Sequence, residues 1–254
     1  MKWPIVKNMM LVLLIVMNVF ILGSVLAKRL SSERIPPLVN TAAIQALENS
    51  GIVCERSLLP EKYLTMRTFT GRFPTAMELS RMFFGKQLAF QTEERTLIAR
   101  QGDAELRVED EYFCYDSGLP AVDCDEDELR RALKKLGLDM SHAVFGGGEW
   151  QFDYMYDNRP VFGMYIRAFL TEDGQIAKVE ARWPTAISSS ARRTGISIIG
   201  CIPDILERFP DGDTVIGLEP GYSAVRNENT DVYSFEPSWR ITMEKGDSEI
   251  FMEL

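Results

Sequence analysis

Residues 125–136 read DEDELRRALKKL and form the clearest helix in the chain. Asp125 stands at its N-cap position, with Glu128 three residues on as in a capping box. Its acids come early and Lys134 and Lys135 late, matching the helix macrodipole. Gly137 stops it. Three β-runs follow, 142–156, 160–170 and 175–183, joined by turns at Asp157-Asn158 and Asp173-Gly174. Within the first, Trp150, Phe152, Tyr154 and Tyr156 alternate with polar or smaller residues, the period of a strand with one buried face.

The same order recurs downstream. Residues 196–208, ISIIGCIPDILER, are expected to form a helix that Pro203 begins or kinks. Three β-runs follow, 213–226, 231–243 and 248–253, with turns at 227–229 and 245–247. Upstream, residues 75–84 read as a helix stopped by Gly85, with strands at 87–92, 95–100 and 104–116, a more diverged copy. Residues 38–49 read as a helix ended by Ser50-Gly51, and IVCERSLLP as a strand ending at Pro60. The expected class is therefore α+β: repeated units, each laying an amphipathic helix across an antiparallel sheet. The units run 38–124, 125–190 and 191–254.

Ahead of the body lies Met9–Leu26, MMLVLLIVMNVFILGSVL, without a charge. As a helix it is roughly 27 Å long, near the thickness of a bilayer core. A cleaved signal peptide is the alternative, since Val25-Leu26-Ala27 suits a signal peptidase, but the run exceeds an ordinary h-region. The expected layout is a cytoplasmic tail, 1–8, one transmembrane helix, 9–27, and a juxtamembrane linker, 28–37. The C-terminal body then lies outside the cytoplasm, because long domains translocate largely regardless of flanking charge. Leu11, Leu14, Asn18, Ile21, Leu22 and Val25 share one face of that helix. An Asn in mid-membrane is costly without a partner, so this face is expected to contact another helix.

The chain holds 28 basic and 37 acidic residues, a net charge of −9. No acid precedes Glu33, so the body is more acidic than the chain as a whole. That argues against nucleic acid and anionic lipid as partners. Of the four cysteines, Cys114 and Cys124 flank a Gly-Leu-Pro turn and make the most plausible disulfide, with buried thiols as the alternative. Other chemistry is sparse. His142 is the only histidine and has no nucleophile motif beside it. Gly146–Gly148 lacks the Lys-Ser/Thr of a phosphate loop. Asp123–Glu128 imitates a calcium loop but places Glu128 where glycine is needed and Lys134 where a bidentate acid is needed. No catalytic, cofactor or metal site is expected.

The C-terminal stretch carries a resemblance. Leu218, Gly221 and Tyr222, with Glu219 and Pro220 inserted, followed by Pro237, Trp239, Arg240 and Ile241, resemble the Leu-Gly-Tyr and Pro-x-Trp-Arg-Ile strands of the YycH/YycI family. The N-terminus agrees: Met1-Lys2-Trp3, an apolar span with a central Asn, and Leu58-Leu59-Pro60 after a helix and a strand. The length is closer to YycI. The four cysteines and the ending Glu253-Leu254 depart from the family pattern. The resemblance implies a bacterial, single-pass, non-catalytic regulator. Such a protein tunes a sensor histidine kinase of cell-wall homeostasis through transmembrane-helix and ectodomain contacts, beside a sister YycH-like protein. The alternative is a tethered extracytoplasmic module that binds or inhibits a peptide or protein. For Trp239, next to Arg240, the expectation is a core aromatic or a cation–π partner.

Overall fold

The computed structural model describes residues 17, 35–146, 150–209, 212–227, 230–246 and 248–252. Elements follow one another as α1 (Pro37–Asn49), β1 (Val53–Cys54), β2 (Leu64–Arg72), α2 (Ala76–Phe84), β3 (Gln91–Glu93), β4 (Thr96–Gln101), β5 (Ala104–Glu109), β6 (Tyr112–Asp116), α3 (Glu126–Leu136), β7 (Ala143–Phe145), β8 (Gln151–Tyr156), β9 (Arg159–Leu170), β10 (Ile176–Arg182), β11 (Thr185–Ile196), α4 (Ile202–Arg208), β12 (Thr214–Arg226), β13 (Tyr233–Met243) and β14 (Ser248–Met252). The class is α+β, mostly sheet with few helices.

Local chemistry sets the helix ends. The Asp125 carboxylate accepts the Glu128 amide at 2.7 Å, and Gly137 closes α3 in the left-handed region at φ 99°. On α2 the capping box is complete. Thr75 Oγ1 accepts the Glu78 amide at 3.3 Å, and Glu78 accepts the Thr75 amide at 2.9 Å. Pro203 sits in the first turn of α4, where its missing N–H costs nothing, so it begins the helix.

The strands form one continuous 14-stranded sheet whose two parts, the first and the second sheet, meet at the β12–β9 pair. In the first the order is β11-β2-β13-β12, with β1 beside β12 and β14 beside β13. In the second it is β9-β10-β6-β5-β4-β3, with β8 and then β7 on the other edge of β9. One parallel pair, Tyr222 with Val161, joins them. Helices α1 and α4 pack together beside β1 in the first half. In the second, Phe83 of α2 stacks on Tyr115 of β6 at 4.4 Å, and Leu129 and Leu133 of α3 are fully buried. At the junction Phe69 of β2 stacks on Tyr156 of β8 at 3.8 Å and on Phe235 of β13 at 4.4 Å. Tyr222 meets both Phe69 and Tyr156 edge-on. One aromatic cluster thus belongs to both sheets.

Several elements differ from the sequence reading. Ile196 ends a strand, and a 3-10 turn at Ile198–Cys201 precedes α4. The run 104–116 is a hairpin, turned by Asp110 at φ 46°. IVCERSLLP holds only the two residues of β1 before a 3-10 turn at Arg56–Leu58. Two long strands, β2 and β11, have no counterpart in the reading. They pair with each other from Thr185–Arg72 to Ile196–Leu64, with bulges on β11. Strand pairing therefore crosses the divisions at 124/125 and 190/191: β6 pairs with β10, and β11 spans the second.

Apart from Met17, the transmembrane span 9–27 lies outside the described residues, as does all of its face, Leu11, Leu14, Asn18, Ile21, Leu22 and Val25. Among the described residues no helix is long and apolar enough to cross a membrane.

Candidate functional site

The two motif segments are hydrogen-bonded neighbours. Across β12 and β13, Leu218 stands opposite Ile241, Glu219 opposite Arg240, Gly221 opposite Ser238 and Tyr222 opposite Pro237. Alternation along each strand then sorts the residues by face. Tyr222, Trp239 and Ile241 are buried, and Leu218 is half-buried against the core. Burial pushes the Tyr222 hydroxyl up to about 12.

Gly221 and Arg240 lie on the opposite face. There the Arg240 guanidinium sits 4.7 Å from the ring centre of Phe162 and pairs with Glu219 through Nε at 3.0 Å. The anticipated Trp239–Arg240 contact is not made, because adjacent strand residues point to opposite faces. Phe162 of β9 takes the place of Trp239. The same face carries Ser223 bonded to Ser238 at 2.9 Å, and Glu236, which accepts from Thr68 at 3.2 Å and from Ser234.

The second sheet carries a larger polar face, on the side away from α2 and α3. One cross-strand row runs Ile98, Arg107, Cys114, Glu180, Arg167, Gln151. Its charges answer one another. Glu105 is gripped by Arg100 and Arg107, whose hydrogen bonds hold its carboxyl below the usual range. Lys178 meets Glu180 at 2.6 Å, a bond that raises the ammonium. Two adjoining clefts of about 390 and 360 Å³ share Arg107, Cys114 and Lys178. Sequence reasoning missed this face because it is assembled from strands distant in the chain. The signal available was i, i+2 charge alternation at Glu105/Arg107 and Lys178/Glu180.

Cys114 and Cys124 are not bridged. Cys114 opens onto this polar face, lining both clefts. Cys124 follows the bridge between Val122 and Leu170, on the edge of β9 turned away from β10, and packs against the core. Two strand spacings, roughly 10 Å, separate β6 from β9, beyond the Cα separation a disulfide spans. Burial pushes both thiols up.

His142 is half-buried, with its ring 5.4 Å from Tyr154. Asp123, Cys124 and Glu128 line a cleft with Arg131 and Lys135. Among the described residues no group of three or more His, Cys, Asp or Glu side chains is placed to hold a metal ion. Gly147 and Gly148 of the glycine run lie outside the described residues. The two polar faces each present fixed, paired charges as a patterned surface. No protein-family model matches this chain, and no curated protein matches it.

Proposed function

We propose that this protein is a membrane-anchored, non-catalytic regulator of a two-component sensor histidine kinase in cell-wall homeostasis, of the YycI kind. The observation that carries the reading is the register of the β12–β13 hairpin. Both segments that resemble the family's repeats lie directly opposite each other, so they act as one structural unit. The uncharged run Met9–Leu26 supplies the anchor. In this reading the kinase and a sister YycH-like protein are the partners, and the face bearing Asn18 contacts their helices. Regulation requires that this contact differ between two kinase states, since equal affinity shifts no equilibrium.

The test is affinity capture of the tagged full-length protein from gently solubilised membranes, beside Asn18→Leu and a version with a foreign helix. Co-purification of a histidine kinase that both changes weaken supports the reading. Undiminished capture and kinase output in both variants eliminate the helix-contact mechanism.

A second reading is an extracytoplasmic binding module that captures a peptide or protein by strand addition. It is favoured by β11, which ends its sheet and pairs only with β2 among the described residues. It predicts that residues 36–254 alone retain the partner. Loss of capture on removing residues 1–35 speaks against it.

A further inference from the structure

Between β6 and α3 the chain runs Leu119-Pro120-Ala121-Val122, and every one of these residues is exposed, Leu119 by 56% and Val122 by 40%. A run of consecutive apolar side chains in water is unfavourable unless something covers it. The loop is also fixed in place. Gly118 turns it at φ 76°, the Leu119 amide donates to Ser117 Oγ at 3.2 Å, and the Val122 amide donates to the Leu170 carbonyl at 2.8 Å. It stands as an apolar ridge.

A groove lies beside the ridge. Val122 forms part of the wall of a cleft of about 310 Å³, which continues past Ala132, Lys135 and Gly174 into a second of about 350 Å³. Met82, Phe83, Leu136 and Ile176, all half-buried, give the second an apolar lining.

The first cleft carries exposed charges of both signs. Arg131 and Lys135 stand one helical turn apart on α3, where like charges repel. Asp123, Glu128 and Glu172 line the same cleft. Among the described residues none of these five has an ion-pair partner. On the opposite side of the sheet the charges do pair, Glu105 with Arg100 and Arg107, and Glu180 with Lys178.

A surface with a ridge, an adjoining groove and unpaired charges of both signs is complementary to itself. We infer that this face joins two copies of the chain about a two-fold axis. Leu119 and Val122 of each copy enter the groove of the other, against Phe83 and Leu136. Arg131 and Lys135 of each meet Asp123 and Glu172 of the other. This inference goes beyond the kinase reading and does not depend on it.

The experiment uses the full-length protein in mild detergent, co-expressed with two different tags, read by capture through one tag and by sedimentation. The expected result is a dimer whose co-capture falls tenfold or more with Leu119→Asp. It falls equally with Arg131→Glu plus Lys135→Glu, and with Asp123→Lys plus Glu172→Lys. Combining one copy of each charge-reversed pair restores capture, because both sets of contacts are then attractive again. All five positions are exposed, and an unchanged melting curve confirms folding. A native protein that stays monomeric at roughly 50 µM overturns the inference. So does co-capture that Leu119→Asp leaves intact, which means the copies meet elsewhere, and so do charge variants that mixing fails to rescue.

Discussion

Gly221 of β12 lies directly beneath Phe162 of β9, leaving no room for a side chain. A Cβ at 221 would sit 2.5 Å from the Pro160 carbonyl oxygen and clash with the edge of the Phe162 ring. Here the first sheet meets the second, through the Tyr222–Val161 pair. The glycine is needed for close approach of backbone to backbone.

Gly221→Ala should therefore destabilise the protein by about 1–3 kcal/mol or more, since the obstacle includes backbone that cannot rotate away. Gly217→Ala is the matched control four residues earlier on the same strand. Its added methyl meets only Thr242, at 3.4 Å. Equilibrium urea unfolding of both variants checks the contrast. Equal midpoints for the two would show that the junction yields freely.

Glu78 links the cap of α2 to Arg72. The Arg72 guanidinium grips both its oxygens at 2.8 Å, and the Thr75 amide adds a third bond. Together they hold the carboxyl down at about 2, against an ordinary 4.5. A lowered folded value means the contribution is whole above pH 4.5 and disappears as pH falls through about 2. Glu78→Gln should cost about 1 kcal/mol or less at neutral pH, because both side chains remain about 40% exposed. Its stability curve should meet that of the native protein at the acid end. A gap that persists below pH 2 would mean the charge is not what Glu78 contributes.

Tyr222 and Tyr233 act at the other end of the pH scale. Burial is the main reason both hydroxyls are pushed up to about 12, from 10.0. A raised folded value means their stabilising contribution is full below pH 10 and lost as pH rises towards 12. The denaturation midpoint should fall across that interval. Tyr222→Phe and Tyr233→Phe should each flatten the fall, because phenylalanine has no proton to lose. An identical alkaline slope in the double variant would assign the fall to other groups.

What the sequence disclosed tracks the range of the forces involved. Helix α3 was legible with its Asp125 cap and Gly137 stop, because both signals act within a few residues. The β12–β13 hairpin was legible because its turn and its alternation are local. Strand β11 was not: Ser188, Ser189 and Ser190 show no apolar alternation, and the strand is held by pairing with β2, distant in sequence, as at Ser188–Thr70 and Ser189–Phe69. The row Arg107–Cys114–Glu180 was invisible for the same reason, since its members meet only once strand order is known. Trp239 and Arg240 mark a different limit. Adjacency in sequence suggested contact, whereas strand geometry separates them and puts Phe162 under the guanidinium.

The cysteine pair tests strand order directly. Cys114 faces the polar side of the second sheet, while Cys124 packs on the core side near Leu170. Two strand spacings lie between β6 and β9, so bridging them would require unravelling β10. Both thiols should therefore persist in protein purified without reductant. Burial holds each above its ordinary titration range, so little thiolate is present at neutral pH and native-state alkylation should be slow. Unfolding in guanidinium should accelerate labelling at both positions, read by peptide mass spectrometry under non-reducing conditions. Recovery of a Cys114–Cys124 cross-linked peptide from native protein would contradict the sheet order itself. Rapid labelling of native Cys124 alone would instead place that thiol outside the core.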